Sequence, residues 1–312
     1  MSVAKMDDLL GQALRGSYAI GYFEMWDQYS LAAAMQAAEE LHSPAILGFG
    51  GAVTNQAWLD EGGVEELACL ARHLAERSRV PTAVLFNEAR TYSQIVRALR
   101  AGCNAVMLET SHLPYEENIA LTRQVVEAAH AVGASVEAEL GHLADATDPY
   151  GPAALTDPVQ AAHFVERTGV DVLAVSIGNV HVLADGEAGV DLGLLARIHQ
   201  AVPVPLSLHG GSGFPASAVR AAIGCGVAKF NVGTRLKQAF LAGVRAALPP
   251  ERDITNIHPF VGSREESDIL LQGAARVKAE IKKLTVLYGS AGQATGERRS
   301  IHVDEGAVAP GA

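Results

Sequence analysis

Short apolar, β-type runs alternate with amphipathic segments along the whole chain. Their periodicity predicts strands over Tyr18–Glu24, Ala45–Gly50, Thr82–Asn87, Ala105–Glu109, Ser135–Leu140, Val172–Ile177, Val204–His209 and Val227–Val232. Apolar positions recurring every three or four residues predict helices over Leu31–Leu41, Gly63–Ser78, Ser93–Ala101, Tyr115–Val132, Pro158–Thr168, Leu192–Ala201 and Pro215–Gly224. Eight such units in one chain predict an α/β fold of the (β/α)8 TIM-barrel type rather than an open doubly wound sheet. No Gly-x-Gly-x-x-Gly run follows the first strand, which counts against a dinucleotide-binding fold. No Ser/Gly/Pro-rich linker divides the chain, so residues 1–295 are expected to form one domain. A long amphipathic helix from about Ser263 to Tyr288 follows the eighth unit. It is expected to pack on the barrel or on a second copy, which predicts a homo-oligomer. The polar, Gly-rich tail Gly296–Ala312 is expected to be a flexible end.

In such a barrel the chemistry sits at the C-terminal strand ends. In order these carry Glu24, Asn87 with Glu88, Glu109, Glu137 with Glu139, His181, His209 and Asn231. One polar strand end is ordinary; seven of eight describe a lined pocket. Only the second strand lacks such a group, running instead into Gly48-Phe49-Gly50-Gly51. His181 and His209 come from the sixth and seventh strands, which are neighbours in a barrel. With Glu88 from the third strand they make a two-histidine, one-carboxylate set with open positions, a pattern that suits a divalent metal. Glu88 has a rival role as general base, and sequence alone leaves both open. His42, His73, His130, His163 and His199 are read as surface or structural residues. The run Gly210-Gly211-Ser212-Gly213, with Asn231-Val232-Gly233-Thr234 one strand later, places exposed N–H groups where barrels commonly hold an anion.

Composition narrows the partners. The chain has 312 residues, 49% of them hydrophobic and 19% charged, which supports a large core. A formal charge of −11 without any Lys/Arg cluster argues against nucleic acid or an anionic membrane as partner. Cys69, Cys103 and Cys225 form no Cys-x-x-Cys pair and are read as reduced, buried thiols. Met1-Ser2-Val3-Ala4-Lys5 does not open a signal peptide, and no apolar stretch is long enough to span a bilayer. The expectation is a cytoplasmic protein acting on a small molecule.

Several runs resemble the class II, metal-dependent ketose-bisphosphate aldolases, the family of fructose- and tagatose-bisphosphate aldolases. They are Ser43 to Leu47, Met107 to His112, Glu116 to Ile119, Val136 to Gly141, Leu208 to Gly213, Asn231 to Thr234 and Leu287 to Gly292. The resemblance covers about residues 5 to 295. It implies zinc, which polarises the carbonyl of a dihydroxyacetone-phosphate unit and stabilises the enediolate formed on carbon–carbon cleavage. Two zinc histidines of the family match His181 and His209. Gly178, Gly210, Gly211, Ser212, Asn231, Gly233 and Thr234 fall among its substrate-binding positions.

The chain departs from the pattern where the chemistry is concentrated. The family's His-Leu-Asp-His-Gly run reads Leu85-Phe86-Asn87-Glu88-Ala89 here. Glu88 thus stands for a zinc histidine, and Asn87 for the aspartate that handles a substrate proton. An amide does not exchange that proton near neutral pH, so Glu24, Glu109 or Glu139 has to supply the step. After His181 the family's Gly and Tyr-Lys are replaced by Val182-Leu183-Ala184-Asp185, and a family asparagine is Glu24. Both changes weaken attraction for a phosphate, which Arg235 would partly restore. Glu109 and Glu137 are compatible with an accessory metal site.

The leading expectation is an aldolase-type lyase acting on a ketose-like sugar that is phosphorylated, non-phosphorylated or carboxylated. A sugar epimerase or isomerase on the same metal, and a non-catalytic binding or partner subunit, are the alternatives.

Overall fold

A computed structural model describes residues 3–146, 153–183, 185–250 and 255–294. The strands are β1 Ile20–Glu24, β2 Ala45–Gly50, β3 Thr82–Ala89, β4 Ala105–Leu108, β5 Ser135–Leu140, β6 Ala144–Asp145, β7 Val172–Val175, β8 Val180–His181, β9 Leu206–Leu208 and β10 Val227–Val232. Eight of them close a parallel barrel in the order β1-β2-β3-β4-β5-β7-β9-β10, with β10 returning to β1. The expected (β/α)8 fold is what the chain adopts. Above the barrel, β6 and β8 pair as a small separate ladder, with Asp145 opposite His181.

The helices are α1 Met6–Gly16, α2 Gln28–Glu40, α3 Gln56–Trp58, α4 Val64–Arg77, α5 Tyr92–Ala101, α6 Tyr115–His130, α7 Pro158–Thr168, α8 Leu192–Ala201, α9 Val219–Gly224, α10 Thr234–Ala247 and α11 Ile269–Leu287. Side-chain caps set several of their starts. Asp27, Thr91, Asp157, Asp191 and Asp268 each accept a hydrogen bond from a first-turn backbone N–H. No helix among the described residues is long and apolar enough to cross a membrane.

Side chains alternate in and out along each strand, so the barrel interior can be read as columns. On β1 the inward series is Ile20, Tyr22, Glu24, apolar below and polar above. At the lower end Ile20, Ile46, Ala83, Leu85, Ala105, Val172 and Ala228 pack against Met6, Leu9 and Leu10 of α1. That helix closes the bottom, tied to the N-terminal strand ends by Ala4 N–H to the Thr82 carbonyl (2.8 Å) and Asp7 N–H to Ser135 Oγ (3.2 Å). The larger core lies between the strands and the outer helices.

The helices α1 and α10 and the two-residue strands of the β6–β8 ladder were not among the predicted elements. The seventh strand is shorter than expected because Pro205, which has no N–H to give, precedes Leu206. The helix expected from Pro215 begins at Val219, after a 3-10 turn at Ala216–Ala218. The last helix begins at Ile269 rather than near Ser263, behind the Asp268 cap, and packs on α10 and α2. Cys69 lies on the outward face of α4 and is exposed, which corrects its reading as a buried thiol; Cys103 is buried and Cys225 half-buried. Ala184 and the tail Gly296–Ala312 lie outside the described residues.

Candidate active site

The strand ends open into a cleft of about 500 Å³ at the C-terminal face of the barrel. Glu24, Asn87, Glu88, Glu109, Glu139, His181, His209, Gly210, Ser212, Asn231, Gly233 and Thr234 all line it. Asn87 and Glu88 are consecutive, so a regular strand would point only one of them inward. The β3–β4 register shifts between Phe86 and Ala89, and Glu88 takes a left-handed φ of 52°. This bulge turns both side chains into the cleft.

Three donor atoms converge on its floor. Glu88 Oε1 lies 2.8 Å from His209 Nδ1 and 3.6 Å from His181 Nε2. The ligand atoms of Glu88, His181 and His209 all fall within 4.8 Å of one another. A tetrahedral centre with bonds of about 2.0–2.1 Å places its ligand atoms about 3.3 Å apart, so the set fits a small divalent ion. Behind it, His209 Nε2 lies 2.8 Å from Glu137 Oε1. A ring nitrogen donating to a carboxylate while the other faces the metal position is the usual support of a ligand histidine.

The support continues inward. Lys229 Nζ pairs with Glu137 Oε2 at 2.8 Å and donates to Asn231 Oδ1. Glu137 and Lys229 are fully buried. Asn179 fixes the histidine strands from the other side, donating from Nδ2 to the His209 carbonyl at 3.0 Å and accepting at Oδ1 from Ile177 N–H at 2.8 Å. Lys229 and Asn179 were missed in the sequence reading. A lysine between Ala228 and Phe230 in an apolar strand was the available signal, since a buried lysine needs a partner.

Burial pushes the Glu88 and Glu137 carboxyls up, but the hydrogen bond from His209 to Glu88 and the Lys229 charge beside Glu137 outweigh it and bring both down to about 2. Burial works against the charged His209 ring, yet its hydrogen bonds to Glu137 and Glu88 raise it to about 10. Burial lowers His181 and favours its neutral, ligating form. The Glu139 carboxyl, also buried, rises to about 7.

Other expected residues sit differently. Gly210 has a φ of 69°, and a Cβ there would meet the Val180 carbonyl oxygen at 2.2 Å, so the turn after His209 needs glycine. Gly178 packs against the Gly189 carbonyl and does not line the cleft. The Arg235 guanidinium pairs with Glu280 of α11, while its backbone N–H donates to Ser212 Oγ at 3.2 Å. Asp185 is exposed and also outside the lining, so its charge is not a wall of the cleft. Glu109 and Glu137 are not brought together as ligands. Glu109 accepts from Ser111 Oγ (2.7 Å) and contacts His112 Nδ1 (2.7 Å) at the rim, whereas Glu137 lies beneath His209. Lys237 lines the cleft, pairs with Glu24 and was not anticipated.

The model of the class II fructose-bisphosphate aldolase family matches residues 4–293. The chain is 35% identical over 298 residues to a fructose-bisphosphate aldolase of Geobacillus stearothermophilus, covering 94% of this chain and 99% of that one. It is 35% identical over 297 residues to the D-tagatose-1,6-bisphosphate aldolase subunit GatY of Klebsiella oxytoca, covering 94% and 100% of the two chains. The crystal structure of the YdjI aldolase from Escherichia coli K12 superposes with a TM-score of 0.78 at 33% identity, over 94% of this chain and all of that one.

Proposed function

We propose, for a chain that belongs to the class II fructose-bisphosphate aldolase family, divalent-metal-dependent aldol cleavage of a ketose-like sugar into a ketone half and an aldehyde half. The observation that carries this reading is the convergence of Glu88, His181 and His209 on the floor of the cleft. Two imidazoles and one carboxylate suit zinc. A divalent ion held there supplies Lewis-acid polarisation of the substrate carbonyl.

The chain's own residues divide the remaining work. Glu137, anchored by Lys229, holds the His209 ring so that Nδ1 faces Glu88. Gly210, Ser212, Gly233 and Thr234 line the wall against which the ketone end is seated; Gly211 and Gly213 lie behind it, the Gly213 N–H bonded to the Gly210 carbonyl at 3.1 Å. Asn87 can donate or accept a hydrogen bond but cannot carry a proton. That step falls to a carboxylate facing the cleft. Glu24 is tied to Lys237, and Glu109 to Ser111 and His112. Among the described residues Glu139 pairs with no lysine or arginine, and it lies 3.6 Å from His209 Nδ1, which makes it the proton carrier.

The test is a product count with metal-loaded protein. Two fragments from a ketose support cleavage, while one product of unchanged carbon number would show an isomerase or epimerase. Glu139→Gln is expected to keep the metal and lose turnover by about 100-fold or more. Glu88→Gln is expected to lose metal and turnover together; retention of metal with lost turnover would make Glu88 the base instead.

A further inference from the structure

We infer that the substrate end seated against the Gly233–Thr234 turn is an uncharged, hydroxyl-bearing end rather than a phosphate, and that Glu24 selects it; this rests on the aldolase reading above. Glu24 ends β1, next to β10 in the barrel, and its carboxylate lies directly over Gly233. A Cβ on Gly233 would come within 2.5 Å of Glu24 Oε2, so the glycine makes room for that carboxylate. Lys237, in the first turn of α10, pairs with Glu24 Oε1. An internal anion thus already stands at the helix N-terminus where a barrel would otherwise cradle a phosphate, and the adjacent cation is neutralised.

The charges on the cleft wall point the same way. Among the described residues its lining carries Glu24, Glu88, Glu109, Glu139 and Asp145 against two Lys/Arg side chains, Lys237 and Arg90; His209 and the proposed ion offset Glu88 on the floor, so beside the Gly233–Thr234 turn the deciding acidic group is Glu24. Arg90 belongs to the β3–β4 side, 3.4 Å from Glu109. A phosphate on the Gly233–Thr234 turn would sit beside the Glu24 carboxylate, a like-charge contact in a partly desolvated site. A hydroxyl there donates to that carboxylate instead, since an ionised carboxylate only accepts. The same cleft holds buried polar atoms with no protein partner: Tyr22 OH, Asn87 Oδ1 and Asn231 Nδ2. Together they offer both donors and acceptors, which a polyol satisfies.

The experiment compares dihydroxyacetone with dihydroxyacetone phosphate in two readouts. Binding to the protein is followed by calorimetry, and deuterium wash-in at the carbinol carbon by NMR with metal-loaded protein. Wild type is expected to bind the phosphate no tighter than the unphosphorylated ketone. Glu24→Gln is expected to shift the affinity ratio toward the phosphate by about ten-fold or more. Gly233→Ala, whose methyl displaces the Glu24 carboxylate, is expected to shift it the same way and guards against a fold defect in the first variant. The inference is overturned if wild type binds the phosphate the tighter, if neither substitution moves the ratio, or if neither compound binds. Failure of the aldolase reading looks different: the binding preference stands, but neither ketone exchanges deuterium.

Discussion

The lower and upper halves of the barrel interior are built on the same strands but held together by opposite means. Below, Ile20, Ile46, Leu85 and Val172 meet Met6 and Leu10 in a wholly apolar plug. Above, Glu88, His209, Glu137 and Lys229 form one chain of charged contacts at nearly the same burial. Apolar packing tolerates a lost neighbour by partial collapse, at the cost of a cavity. The ionic chain has no such freedom, because each buried charge depends on the next. The lower half therefore serves stability alone, while the upper half trades stability for a fixed ligand geometry.

The largest effect that would break this contrast comes from its most buried charge. Lys229→Met removes one of the two cationic partners of the fully buried Glu137, leaving His209 beside it, and is expected to cost about 3–5 kcal/mol by urea unfolding, with loss of metal affinity. Adding Glu137→Leu to it should return most of that stability but none of the metal affinity. Full recovery of both would show that the ionic chain has no bearing on the metal. In the lower half, Leu85→Ala is expected to cost about 2–5 kcal/mol while metal affinity stays at the wild-type value. A matching drop in affinity would contradict the division between the halves.

Glu137→Gln is a milder change, retaining shape and a hydrogen-bonding group. It is expected to weaken metal binding by about 10–100-fold, read by competition with a chelating dye. Smallest is Val182→Gly, just beyond His181. Val182 has a φ of 54°, a conformation that a β-branched side chain resists. Relief of that strain is partly offset by glycine's larger unfolded-state entropy, leaving a gain of about 1 kcal/mol in thermal unfolding. A loss instead would show that Val182 packing outweighs its backbone strain.

The barrel was legible because eight short apolar runs, alternating with amphipathic helical patterns, leave little other than a closed parallel sheet. Glu88 and His209 were legible because a strand end in a barrel is already a position in space; His181, expected at the end of the sixth strand, lies instead on β8 of the small ladder, past the end of β7 at Val175. The residues that hold them were not. Lys229 reaches Glu137 across 92 positions, Asn179 joins its own turn to the His209 carbonyl 30 residues on, and Lys237 reaches Glu24 across 213 positions. The bulge that brings Asn87 and Glu88 to the same face has no local signature, since it is defined by the register against β4. Arg235 was expected to attract an anion, but its side chain pairs with Glu280 on a helix whose packing no motif specifies.

The most direct test of the central claim, that Glu88, His181 and His209 hold a divalent ion, is elemental analysis of protein purified without chelator or added metal, beside a His181→Ala control. The account predicts one divalent ion per chain in the wild type and its loss in the variant. A wild-type protein that carries no metal and takes up no added zinc would contradict it.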